Sequence, residues 1–121
     1  MAEFNVYYDQ QNNCLRGVFK GQVDHMQVGA YVKEVYSKAT RKNERLLSDF
    51  REAQVDLAEI EIVSIREMIR NIGIDQSWKR AIVVSQKMEL FKFFEVLCNN
   101  YGDKVRAFSD MDEALAWLKA D

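Results

Sequence analysis

The sequence predicts an α/β domain with a mostly parallel sheet and an antiparallel hairpin at one edge, in the order β-β-α-β-α-β-α-β-α. Three observations carry that prediction. Two short apolar runs, residues 81–84 (AIVV) and 105–108 (VRAF), are each followed by an apolar stripe of helical period. Strand, helix, strand, helix with tight connections is the pattern of parallel strands. Near the N-terminus, two alternating runs flank a polar turn cluster, which is the pattern of a hairpin. Between these ends lie two further helical stripes separated by one apolar run.

In chain order, residues 4–8 place Phe4, Val6 and Tyr8 on one side, and residues 14–20 do the same with Leu15, Gly17 and Phe19 across the turn 9–13 (DQQNN). Asp24 caps the first helix, with Gln27 where a capping box puts it. Val28, Tyr31, Val32, Val35, Tyr36 and Ala39 keep helical spacing. Gly29 costs that helix about 1 kcal/mol against alanine and suggests close packing. Residues 39–45 (ATRKNER) read as a solvated connection, 46–50 as the third strand and 51–56 as a polar loop. Residues 57–72 alternate at first like a strand, but Ile62, Ile65, Met68, Ile69 and Ile72 hold helical spacing and Gly73 ends it.

After the fourth strand, Ser85 is the expected cap of the third helix, whose stripe is Met88, Phe91, Phe94 and Cys98. Residues 99–102 (NNYG) stop it. Ser109 is the expected cap of the last helix, with Met111, Ala114, Leu115 and Leu118 inward.

Composition narrows the class. Residues 1–121 suit one domain with a single core, and 48% apolar with 30% charged residues excludes a disordered chain. A net charge of −2 argues against nucleic acid as a partner, since phosphate binding wants a basic excess. No run reaches the length of a membrane span, and the N-terminus MAEFNVYYDQ lacks the basic-then-apolar layout of a signal peptide, so a cytoplasmic location is expected. Cys14 and Cys98 read as two reduced core thiols. His25 is the only histidine, which leaves a histidine metal cluster or relay without a second member. No cofactor is expected.

Two groups of residues are candidates for function. Asp49 stands at the end of the third strand, where parallel sheets place ligand crevices, and Asp56, Glu59 and Ser85 are expected at that same end. Carboxylates there suit acid–base work, but nothing supplies a nucleophile or a phosphate cradle, so the chain reads as non-enzymatic. Phe91, Phe93 and Phe94 on the third helix offer either a wide core face or a contact surface or pocket wall. If each strand turns its apolar side to the helices, the opposite sheet face carries Asn5 and Tyr7; Cys14, Arg16, Val18 and Lys20; Arg80, Ile82 and Val84; and Lys104, Arg106 and Phe108. That basic and apolar mixture predicts a face left partly open.

Four pieces in this order also carry a family resemblance: residues 46–51 (LLSDFR), 80–85 (RAIVVS), Phe93, Phe94 and Glu95 with Asn100, Tyr101 and Gly102, and 105–109 (VRAFS) leading into 113–118 (EALAWL). The chain resembles the STAS-like superfamily of sulfate-transporter and anti-sigma-factor-antagonist domains. It is most similar to small bacterial single-domain members grouped between STAS and the lipid-carrying CRAL-TRIO domains. The resemblance implies a sheet of four or five mostly parallel strands and a regulatory protein partner. In the anti-sigma antagonists a serine at the start of the helix after strand three is phosphorylated to break partner binding. Here the matching stretch, 55–60 (VDLAEI), has neither serine nor glycine. Glu59 can be read as a fixed phosphate mimic or as an acidic residue favoured in a first helical turn. The expectation is therefore a regulatory or protein-interaction module, forming a homodimer through the third helix around Phe93. The alternative is a carrier or sensor of a small apolar, lipid-like ligand.

Overall fold

The computed structural model describes residues 3–41 and 43–120. Lys42, part of the expected charged connection, lies outside the described residues, as do Met1, Ala2 and Asp121. The elements are β1 (Glu3–Asp9), β2 (Cys14–Val23), α1 (His25–Lys38), β3 (Arg45–Val55), α2 (Glu59–Ile72), β4 (Lys79–Val83), α3 (Met88–Asn100), β5 (Lys104–Phe108) and α4 (Met111–Lys119). The sheet runs β1-β2-β3-β4-β5, with β1 antiparallel to β2 and every later pair parallel. The expected order and the edge hairpin are both present.

Each parallel step moves one place in the same direction across the sheet. Right-handed crossovers then put every connecting helix on one face. α1, α2 and α3 accordingly pack on that face around Leu15, Phe19, Leu46, Phe50, Ile82 and Val105. α4, after β5, folds onto the opposite face, over Cys14, Leu47, Ala81, Val83 and Phe108. It covers the β3–β5 side. On β1 and β2 of that face Asn5, Tyr7 and Lys20 remain exposed, so the half-open face exists there. Arg45 Nη1 donates to the Leu118 carbonyl at 2.5 Å and Lys79 Nζ to the Ala120 carbonyl at 2.6 Å, which places cations at the C-terminus of α4 where the helix dipole favours them.

Several sequence expectations need correction. β4 turns Ala81 and Val83 to α4, while Ile82 and Val84 join the three-helix core and Arg80 is buried with them, so the face assigned to that strand was reversed. The 51–56 stretch continues β3 through Val55, with Ala53 and Val55 buried and Glu52 and Gln54 exposed. Its continuation pairs with Gly21, Gln22 and Val23 of a longer β2. A bulge hid this: from Val18 to Lys20 β2 advances two residues while β3 advances three, from Asp49 to Glu52. Ser85 does not cap α3, whose N-cap is Lys87 in left-handed backbone (φ 63°). Ser109 gives way to Asp110, whose carboxylate accepts from Asp112 N at 2.8 Å. Asp24 and Gln27 do form the reciprocal capping box, and Gly73 ends α2 at φ 125°.

No helix of the described residues is long and apolar enough to cross a membrane.

Candidate functional site

The C-terminal edge of the sheet does not assemble the expected carboxylate cluster. Asp49 is buried, and its carboxylate is spent on the bulge: Oδ1 accepts from the Arg51 backbone N–H and Nε at 3.0 Å each, and Oδ2 from Nη2 at 2.8 Å. Burial pushes this carboxyl up, but the hydrogen bonds and charge of Arg51 outweigh it and hold the group below the ordinary carboxylate range. Ser85 Oγ donates to the Arg51 carbonyl at 2.9 Å, so it ties the same bulge from the β4–α3 loop. Asp56 and Glu59 stand exposed after the strand end and at the start of α2. Among the described residues no hydrogen bond or ion pair joins them to Asp49. The strand order supplies the reason for the missing crevice. Ligand crevices of open parallel sheets form where strand order reverses, and this order never does.

Ala58 is the N-cap of α2, with no side-chain hydroxyl to offer. The reciprocal contact runs one way only, from Ala58 N to Glu61 Oε1 at 2.8 Å. Glu59 and Glu61 begin the helix, in the turn where the dipole favours acids. Among the described residues no group of three or more His, Cys, Asp or Glu is arranged to hold a metal ion.

The aromatic group of α3 divides. Phe91 and Phe94 are buried and line an apolar cavity of about 70 Å3 beneath α2, together with Val32, Phe50, Ile62 and Ile65. α2 packs on α1 and α3 but makes hardly any close backbone approach to the sheet, which leaves this space under it. Phe93, expected off the core stripe, is half-buried and packs against the same core. The outward apolar residues are others: Ile60 and Val63 on α2, 77% and 46% exposed, and Val96 on α3, 55% exposed.

A second cluster lies at the opposite, N-terminal edge of the parallel strands. Arg66 from α2 and Arg80 from β4 are 5% and 6% exposed, and both reach one oxygen of Asp103, in the α3–β5 connection. Arg66 Nε is 3.4 Å from Asp103 Oδ2 and Arg80 Nη2 is 3.3 Å from it. Arg66 also stacks over Tyr101, 4.0 Å from the ring centroid. Arg80 Nε is buried with no hydrogen-bond partner. Nearby, burial pushes the Cys98 thiol up to about 12, so it brings no negative charge. The sequence reading missed this cluster. Its signal was Arg66 in phase with Ile62, Ile65 and Ile69, on the buried stripe of α2.

No family model matches the chain, and no curated protein matches it. Among solved structures it is similar to an uncharacterized protein of the DUF3478 family with a SpoIIAA-like fold from Shewanella loihica PV-4. The TM-score is 0.62 and the identity 17%, covering 97% of this chain and 93% of that one. The chain has a SpoIIAA-like α/β fold, as the family resemblance implied. At that identity the likeness speaks to the fold alone.

Proposed function

We propose that this protein is a non-enzymatic interaction module that works by contact through the outer faces of α2 and α3. The observation that supports the reading is the set of exposed apolar side chains there, Ile60, Val63 and Val96, flanked by half-buried Phe93 and Leu97. A second copy is the simplest occupant, because two-fold dimers are the commonest soluble oligomers. Ala58 at the α2 N-cap offers no acceptor for phosphate, so contact here is not switched as in the anti-sigma antagonists. Sedimentation of wild type, Ile60→Glu and Val96→Glu at micromolar concentration tests this. A dimer that either charge dissociates is expected. A monomeric wild type defeats the homodimer, and a dimer indifferent to both charges defeats the α2–α3 face as its contact. Phe93→Glu is a poorer probe, because Phe93 packs on the core and its loss also disturbs folding.

The cavity under α2 favours a second reading, a carrier or sensor of a small apolar ligand. Its 70 Å3 is roughly half of the ~150 Å3 that admits a benzene ring, so only a short aliphatic group enters unless α2 lifts. Native mass spectrometry of protein purified from cells would show a co-purifying apolar molecule under this reading.

A further inference from the structure

We propose that Arg66 and Arg80 form a binding site for a small oxyanion, a carboxylate or phosphate group that enters through the polar recess between α2 and residues 74–77. The recess is about 370 Å3 and is bounded by Arg66, Arg70, Ile74, Asp75, Gln76 and Asp103. The inference uses residues that the contact face of α2 and α3 does not, so either can fail alone.

The argument is one of unbalanced charge. Two guanidiniums, each more than nine-tenths buried, share one carboxylate oxygen at 3.3 and 3.4 Å. Each guanidinium carries five N–H donors in a rigid fork made for two-point capture of carboxylate or phosphate. Here neither fork is used that way: both approach a single oxygen at long range. Arg80 Nε has no partner at all. The Tyr101 ring face offsets part of the charge of Arg66, and the protonated Cys98 thiol offsets none of that of Arg80. Arg66 and Arg70 line the recess opposite Asp75 and Asp103, and Arg80, which lines the adjoining cavity and reaches the same Asp103 oxygen, adds a third cation, so the group as a whole carries a net of +1. A buried cation without its counter-charge is strongly unfavourable, and an oxyanion supplies both the charge and the missing acceptors.

The recess also adjoins the apolar cavity. Ile69 and Ile74 line both, and Arg80 lines the cavity. The oxyanion can therefore be a free ion or the head of a short amphiphile whose tail lies beneath α2. The two sources share the same chemistry at the arginines and differ in what the tail touches.

Arginine Nε–Hε signals of 15N-labelled protein provide the test, titrated with sodium phosphate and separately with acetate and hexanoate, with sodium chloride as the ionic-strength control. The expected result is saturable movement of the Arg66 and Arg80 signals with phosphate or carboxylate and none with chloride. Tighter binding of hexanoate than acetate, with movement of the Ile69 and Ile74 methyl signals, assigns the site to an amphiphile head. Equal binding of the two acids with still methyl signals assigns it to a free anion. Arg66→Gln is expected to weaken binding about tenfold, the loss of a charge-assisted contact. Asp103→Asn is expected to strengthen it several-fold, because it removes the competing carboxylate. Absence of saturable movement with all three anions overturns the proposal, as does a folded Asp103→Asn protein that binds no more tightly. If that variant does not fold, the wild-type titration decides alone.

Discussion

Gly17 sits in mid-sheet on β2, paired with Val6 on one side and Ser48 on the other, and the ring of Tyr31 lies directly over it. A Cβ at that position would stand 2.1 Å from Tyr31 Oη, 2.3 Å from Cε1 and 2.5 Å from Cζ. The ring cannot simply move away, since Phe19 packs at 4.4 Å between centroids and Phe4 at 5.7 Å. Its hydroxyl also shares a buried hydrogen bond of 2.6 Å with Ser48 Oγ. Gly17→Ala must therefore displace Tyr31. Overpacking of this kind costs about 1–3 kcal/mol. Leaving the Ser48 hydroxyl without its buried partner costs about 1–3 kcal/mol more. Alanine recovers roughly 0.5–1 kcal/mol of backbone entropy. The expected net loss is about 1–5 kcal/mol, a shift of the urea midpoint on the order of 0.5–3 M at unchanged slope. The decisive measurement is a double-mutant cycle with Tyr31→Leu, which removes the ring that the new methyl meets. In that background Gly17→Ala should cost little. An equal cost in both backgrounds would refute the close-approach argument, and so would a neutral Gly17→Ala in the wild type.

Two further perturbations test the opposite face and the bulge. Leu118→Ala removes a fully buried side chain from the cluster that α4 alone forms on its side of the sheet, and should cost about 2–5 kcal/mol in chemical denaturation. Leu115, expected on the same buried stripe, is only half-buried, so Leu115→Ala should cost clearly less, and the reverse order would mean that α4 docks in another rotation. Asp49→Asn should destabilise the protein by about 1–3 kcal/mol at neutral pH, through its charge-assisted bonds to Arg51. Because Asp49 is held below the ordinary 3.8, its contribution is complete above that value and is lost as pH falls through it toward the folded-state pKa. The acid limb of wild-type stability should therefore be steeper than that of Asp49→Asn, and parallel limbs would show that the charge on Asp49 contributes nothing.

The element order was legible because most stripes and alternations here are clean, and the failures occur where one face stops being distinguishable from the other. At the β3 bulge a single extra residue shifts the phase, so the inward Ala53 and Val55 fall out of step with Leu46, Ser48 and Phe50 and the segment reads as loop. In β4 the run from Arg80 to Val83 is buried on both faces, so alternation has no sign to give. The expected face for Arg80, Ile82 and Val84 is therefore the reverse of the observed one, with Ile82 and Val84 in the three-helix core. That one inversion also concealed the arginine cluster. Turned inward, Arg80 meets Arg66, which keeps the spacing of the buried isoleucines of α2. A charged residue in phase with a buried stripe requires a counter-charge from elsewhere in the chain. Two such residues fall at this place, and the fold brings them one carboxylate between them.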